Sequence, residues 1–171
     1  MTLHHKAESF PAISTLRSHT LILGSMPGIR SLEAQQYYAH PQNSFWEILG
    51  NIYDAPVDTY QHRIALIRKN NLAMWDVLKF CRRRGSLDNR IDSASIEVND
   101  FDFFLRTRPL IRRVFFNGTK AEQEFKKRVI PELSAPILAR LALKRLPSTS
   151  PAHATLRPVD KLKAWRVVKK P

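Results

Sequence analysis

Residues 21–46 read LILGSMPGIRSLEAQQYYAHPQNSFW. Leu21-Ile22-Leu23-Gly24 is a short apolar run with the character of a buried parallel strand, and Gly24-Ser25-Met26-Pro27-Gly28 supplies the flexible and rigid corners that end it. Ligands in open α/β sheets bind beyond such carboxyl ends. Tyr37, Tyr38, His40, Pro41, Asn43, Phe45 and Trp46 then gather aromatic faces and neutral hydrogen-bonding groups. That set suits a planar polar ring, of which a nucleobase is one kind.

Working outward, apolar runs near 20–25, 72–78, 112–117 and 142–147 are spaced as strands, with helical material between them. This alternation predicts an α/β fold: a three-layer α/β/α sandwich around a central, mainly parallel four-stranded sheet. Helical spacing marks 45–52 and 60–69, and a further helix is expected over 120–129, begun after Asn117-Gly118-Thr119 and stopped before Pro131. Leu133 to Leu143 can open with a helical turn. Arg83 to Asn99 is polar without clear period, which predicts a loop or short helix. The basic last residues can form a helix or a tail. Length and a 43% hydrophobic content fit one domain over 1–171, with a core at about 19–155 and a basic segment at about 156–171.

Lys and Arg number 28 against 15 Asp and Glu, a net charge of +13. A polyanionic partner follows from this balance, nucleic acid first. Clusters lie at Arg82-Arg83-Arg84, Arg112-Arg113, Lys126-Lys127-Arg128 and from Lys161 to Lys170; each one singly is expected to be solvated surface. No apolar run approaches the ~20 residues of a membrane helix, and Met1 to Lys6 lacks a signal-peptide core. A soluble, monomeric, cytoplasmic protein is expected, nucleoid-associated in a bacterium. The lone Cys81 has no disulfide partner and is expected to pack at a strand end, and no His/Cys spacing suggests zinc. The Gly24–Gly28 turn lacks the Lys-Ser/Thr of a phosphate loop. Asp88, Asp92, Glu97, Asp100 and Asp102 are scattered through polar sequence and are expected to be solvated rather than to hold a metal.

The stretch with a Gly-Ser-x-Pro-Gly turn followed by Tyr37-Tyr38-Ala39-His40-Pro41-x-Asn43-x-Phe45-Trp46 resembles the first motif of the uracil-DNA glycosylase superfamily, most closely its DNA-deoxyinosine (hypoxanthine-DNA) branch. Val114-Phe115-Phe116-Asn117-Gly118-Thr119-Lys120-Ala121 and Leu146-Pro147-Ser148-Thr149-Ser150-Pro151-Ala152 resemble a strand and the closing loop of the same fold, so the likeness spans roughly 19 to 155. The resemblance implies a monofunctional glycosylase without metal or cofactor. Such an enzyme hydrolyses the N-glycosidic bond of a deaminated base in DNA, most simply hypoxanthine, and leaves an abasic site. A uracil or thymine mismatch glycosylase, and a catalytically silent DNA-binding protein of the same fold, are the alternatives.

Gly24, Ser25, Met26, Pro27 and Gly28 would then line the substrate. Met26 stands where uracil-excising relatives place the Asp or Asn that positions water, and the deoxyinosine branch suggests Asn43 in its stead. Capping of the following helix is the competing role for Asn43. Tyr38 is the candidate stacking face, against a role as core aromatic, with Phe45 beside it. Asp76 stands at the base-reading position of the relatives' Asn, and could accept from hypoxanthine N1–H, cap a helix or pair with an arginine. His40 is either a substrate neighbour or a donor to a backbone carbonyl. In the closing loop Ser148, Thr149 and Ser150 can bond DNA phosphates. His153 can donate to a leaving purine or a phosphate, or lie idle at the surface.

Overall fold

The computed structural model describes residues 5–170, with side chains from Lys6 onward. Along the chain lie β1 (His5–Glu8), β2 (Thr20–Gly24), α1 (Ile29–Ala34), α2 (Phe45–Tyr53), α3 (Tyr60–Lys69), β3 (Leu72–Asp76), β4 (Leu78–Arg83), β5 (Ile91–Val98), α4 (Phe101–Arg106), β6 (Arg113–Asn117), α5 (Thr119–Glu124), α6 (Ala135–Arg140), β7 (Ala142–Leu146) and α7 (Pro158–Trp165).

The four expected strands form one parallel sheet in the order β3-β2-β6-β7. Alternation along β2 divides the core. Leu21 and Leu23 face one layer with Ala73, Val114 and Phe116, covered by Phe101, Phe104 and Leu105 of α4, by Phe125 beyond α5, and by Ile137 of α6. Ile22 faces the other with Met74 and Phe115, covered by Phe45, Trp46 and Leu49 of α2, by Leu66 and Ile67 of α3, and by Trp165 of α7. Side chains with period two on a sheet covered on both faces account for the continuous apolar runs. The outer edge of β3 is closed by Ile13, whose backbone exchanges bonds of 2.9 and 2.8 Å with Met74.

A second sheet, antiparallel in the order β1-β4-β5, places β5 in the stretch 83–99 expected to be loop or short helix, where only the 3-10 turn Asp88–Arg90 is helical. That expectation fails because the pairing of β4 with β5 slips between Leu78 and Phe80 and again between Phe80 and Arg82. Such bulges destroy the alternation by which a strand is recognised. Cys81 is buried within β4, as a packing residue. The helix expected over 120–129 begins as α5 and ends in a wider π turn at Phe125–Val129. The basic C-terminal segment is ordered as α7 and the 3-10 turn Arg166–Val168, and Trp165 and Val168 enter the core. No helix among the described residues is long and apolar enough to cross a membrane.

Candidate active site

The strand register sets the site. Gly24 pairs with Asp76, Leu23 with Phe116 and Asn117 with Leu146, so the carboxyl ends of all four parallel strands come to one level. From that level depart the Gly24–Gly28 turn, the Asp76-Val77 link into β4, Gly118 and the closing loop. Val77 and Leu78 N–H donate to the Gly24 and Ser25 carbonyls at 2.9 and 3.0 Å, welding the first two departures together.

Gly24 has to be glycine. A Cβ there would stand 2.5 Å from Asp76 Oδ1 and 2.9 Å from the Tyr38 hydroxyl. Those contacts show what fills the strand ends: the tip of the Tyr38 phenol and the Asp76 carboxyl. Tyr38 arrives from the loop after α1 with φ of 52°, an uncommon state for an aromatic residue. Its ring is stacked on Phe45, with centroids 3.9 Å apart. Trp46 Nε1 donates to Tyr37 O at 2.8 Å, and Ala39 N–H donates to Ser31 Oγ at 3.1 Å. The loop is therefore held at several points rather than left to close around a ligand.

The floor is short of hydrogen bonds. Asp76 Oδ2 is buried without a partner, and the Tyr38 hydroxyl, beside Asp76 and Asn117, forms no well-placed bond. An unmade bond on a buried polar group costs about 1–3 kcal/mol. Burial pushes the Asp76 carboxyl up to about 7, with the nearby Asp88 charge adding to the rise and Arg83 opposing it. Burial likewise raises the Tyr38 phenol far above its ordinary value, so it stays a neutral donor.

Asn43 lies on the same rim. Its Oδ1 accepts from the N–H of Phe45, the first residue of α2, at 3.0 Å, while Ser44 stands at the N-cap position without a side-chain cap bond. The bond orients the amide and leaves the oxygen a second lone pair and the nitrogen two donors. His40 is exposed, and its Nδ1 accepts from Gln42 N–H at 3.2 Å, so its turn-forming bond runs opposite in sense to the expected donation.

Several contributors were not foreseen. Asn117 exchanges two bonds with Thr149, Nδ2 to Oγ1 and Thr149 N–H to Oδ1, both 2.9 Å. Ser44 N–H donates to Thr149 O at 3.1 Å. Thr149, expected to meet phosphate, is thus buried and spent on fastening the closing loop to β6 and α2. Trp165 Nε1 donates to Pro147 O at 2.9 Å and Lys161 Nζ to His153 O at 2.7 Å, so α7 supports the same loop. From the other side comes the tip of the β4–β5 hairpin. Asp88 accepts from Ser25 Oγ at 2.7 Å, Ser86 Oγ accepts from Ile29 N–H at 2.9 Å, and Arg83 Nη2 donates to Pro27 O. Arg83 is 1% exposed, which corrects its reading as solvated surface. Asp88 is turned inward rather than solvated, because Ser25 offers it a buried donor. Asn117, ending an apolar strand before a glycine, was the discoverable member of this set.

Two grooves flank the strand ends. One of about 810 Å³ runs from Tyr38, His40 and Asn43 past Trp46 to Asp54 and Arg63. Another of about 380 Å³ is lined by Thr119, Arg145, Ser148, His153 and Lys161. Ser148 and His153 thus share a groove with four further polar or cationic side chains, Thr119, Arg145, Thr155 and Lys161, while Ser150 accepts from Ala152 N–H at 3.3 Å within its own turn. Among the described residues no group of His, Cys, Asp and Glu is placed to hold a metal.

The profile of the uracil DNA glycosylase superfamily matches residues 10–169. The chain belongs to the uracil DNA glycosylase superfamily. It is 36% identical over 118 residues to a hypoxanthine DNA glycosylase of Methanosarcina barkeri, covering 68% of this chain and 73% of that protein. A hypoxanthine DNA glycosylase of Methanosarcina acetivorans is 36% identical over 114 residues, 66% of this chain and 71% of the relative. The solution NMR structure of a candidate uracil DNA glycosylase from Methanosarcina acetivorans superposes with a TM-score of 0.79 at 28% identity, across 96% of this chain and 98% of that one. As a glycosylase of this superfamily the protein acts on DNA, and its positive charge matches that substrate.

Proposed function

We propose that this glycosylase, as a monomer, releases a deaminated base from DNA, hypoxanthine before others, and leaves an abasic site. The observation that carries the reading is the pair of buried, unpartnered polar atoms at the strand ends, Asp76 Oδ2 and the Tyr38 hydroxyl. A hypoxanthine edge presents a donor at N1–H beside an acceptor at O6. Ionised Asp76 accepts from N1–H and the phenol donates to O6, so a flipped base would supply both missing bonds. The binding energy offsets the few kcal/mol needed to extrude a nucleotide.

Cleavage of the C1′–N bond passes through an oxocarbenium-like sugar, the bonding pair leaving with the base. Asn43 orients the water that then adds to C1′. A neutral amide does not remove the water's proton beforehand, so the path is dissociative and the proton departs late. Tyr38, backed by Phe45, meets the base edge through its hydroxyl in place of the stacking first expected of it, and the Gly24–Gly28 turn gives the wall beneath the sugar. Ser148, Ser150 and His153 meet flanking phosphates.

Uracil offers a similar edge, N3–H beside O4, and the same two atoms suit it; uracil excision is therefore the second reading. Single-turnover assays without divalent metal, on duplexes carrying one hypoxanthine, uracil or xanthine followed by alkali, decide between them. Fastest loss of hypoxanthine is expected, with strand scission only after alkali. Faster loss of uracil would install the second reading. Tight binding without release of any base would leave a DNA-binding protein only.

A further inference from the structure

The reaction just described creates positive charge on a sugar lying against the Gly24–Gly28 turn, yet the side chains of that turn are Ser25, Met26 and Pro27, none of them charged. A carboxylate reaches the turn from elsewhere. Asp88 comes from the 3-10 turn between β4 and β5, far along the chain, and accepts a hydrogen bond from the Ser25 hydroxyl at 2.7 Å. The hairpin tip is not a loose neighbour, since Ser86 and Arg83 bond the same turn at Ile29 N–H and the Pro27 carbonyl. We propose that Asp88 is a positioning residue for base release, which fixes Ser25 and sets a negative charge under the turn where the sugar becomes cationic.

The inference rests on the glycosylase reading above and adds an origin for its electrostatics. The charged and titratable groups around Asp88 are Arg83 and Cys81 on β4, Asp76 at the end of β3, Tyr38, Lys120 on α5 and His153 in the closing loop. Burial raises the Asp88 carboxyl, and the Ser25 bond followed by Arg83 opposes the rise. Arg83 makes the carboxylate's presence decisive. Without Asp88 the buried guanidinium keeps only Asp76 as a nearby carboxyl, beneath a sugar that is itself turning positive. Fixed charge in a site that excludes water acts without reorganising, which is why such groups have large effects on rate. No bond to Asp88 forms or breaks: the base leaves with the C1′–N electron pair, water adds to C1′, and its proton passes to solvent.

The test separates charge from hydrogen bond. Asp88→Asn keeps an oxygen to accept from Ser25 but removes the charge; Ser25→Ala keeps the charge but removes the bond. With enzyme in excess over a duplex carrying the base that the wild type releases fastest, the plateau rate of Asp88→Asn is expected to fall about 100-fold and that of Ser25→Ala about 10-fold. The half-saturating enzyme concentration should move less than about threefold in both. A merely structural role would lower the melting temperature and weaken half-saturation together. Plateau rates within about twofold of wild type for Asp88→Asn overturn the inference; should that variant not fold, an unaltered rate for Ser25→Ala overturns it. A wild type that releases no base at all removes the glycosylase reading and this inference with it, a result distinct from an active wild type matched by its variants.

Discussion

On one side of the strand ends stand Tyr38, Phe45 and Trp46, stacked and edge-on to one another, with their polar atoms bonded to backbone or left neutral. On the other stand Arg83, Asp88 and Asp76, one cation and two carboxyls with little solvent. The aromatic side descends from the helical layer of α2 and gains its rigidity from packing. Of the charged side, Arg83 and Asp88 come from the antiparallel sheet and its tip and gain their rigidity from hydrogen bonds to the Gly24–Gly28 turn, while Asp76 ends β3 of the parallel sheet. A base needs a flat, weakly polar neighbour, and a sugar turning cationic needs a fixed charge. Assigning each to its own structural layer lets both exist within one small site.

Truncation should affect the two sides in different currencies. Phe45→Ala removes a side chain buried without exposure beneath Tyr38 and is expected to cost about 3–5 kcal/mol of stability in urea titration. Full stability with lost activity would mean that the aromatic side is not core at all. Asn43→Ala, on the same rim, is expected to slow single-turnover release about 100-fold, near 2.7 kcal/mol, with binding almost retained. A matching loss of stability would show the residue to be holding the start of α2 instead.

Asp76→Asn addresses the charged side through pH. The folded carboxyl lies near 7 against an ordinary 3.8, so the native protein binds more protons than the unfolded chain between those values. Stability therefore falls as pH rises from about 4 to about 7, and the deficit persists above. Replacing Asp76 by Asn should flatten that fall and raise stability at pH 8 by about 2 kcal/mol, with no gain at pH 4. A pH profile identical to wild type would remove the buried charge from the comparison. Thr149→Val, which removes the acceptor of Asn117 Nδ2 but keeps the backbone bonds to Asn117 Oδ1 and Ser44, should cost about 1 kcal/mol. Smallest of all, Arg145→Ala in the groove beside Ser148 should weaken DNA binding a few-fold and lower the slope of log affinity against log salt by about 0.9.

The parallel sheet was legible because both of its faces are buried, which writes each strand as an uninterrupted apolar run such as Leu21-Ile22-Leu23. The turn and the aromatic cluster were legible for the related reason that a strand end followed by glycine and proline marks where a site can form, whereas Asp76 was reached only through the resemblance. The antiparallel sheet was not, because its bulges and exposed outer residues leave Ile91 to Val98 with no steady period. Its hold on the Gly24–Gly28 turn was hidden with it: Arg83 reads as one of three arginines and Asp88 as one of several scattered acids until the hairpin folds them inward. Thr149 illustrates the opposite difficulty. A hydroxyl in a Ser-Thr-Ser loop looks like a phosphate contact, and only the level of Asn117 in the sheet shows that its partner is protein.

The bonds that fasten Thr149 have a consequence for the order in which the protein comes into being. They join it to Ser44, 105 residues earlier, and to Asn117, 32 residues earlier. Contacts of such long reach are late to close, since a large loop of chain must first lose its freedom. The aromatic loop can dock on its own helix while β7 is still unpaired, but the rim that carries Asn43 acquires its last support only when the fourth strand has joined the sheet. A chain emerging from the ribosome thus makes its turn and its earlier helices well before the closing loop and α7, the last parts to appear, can complete the site.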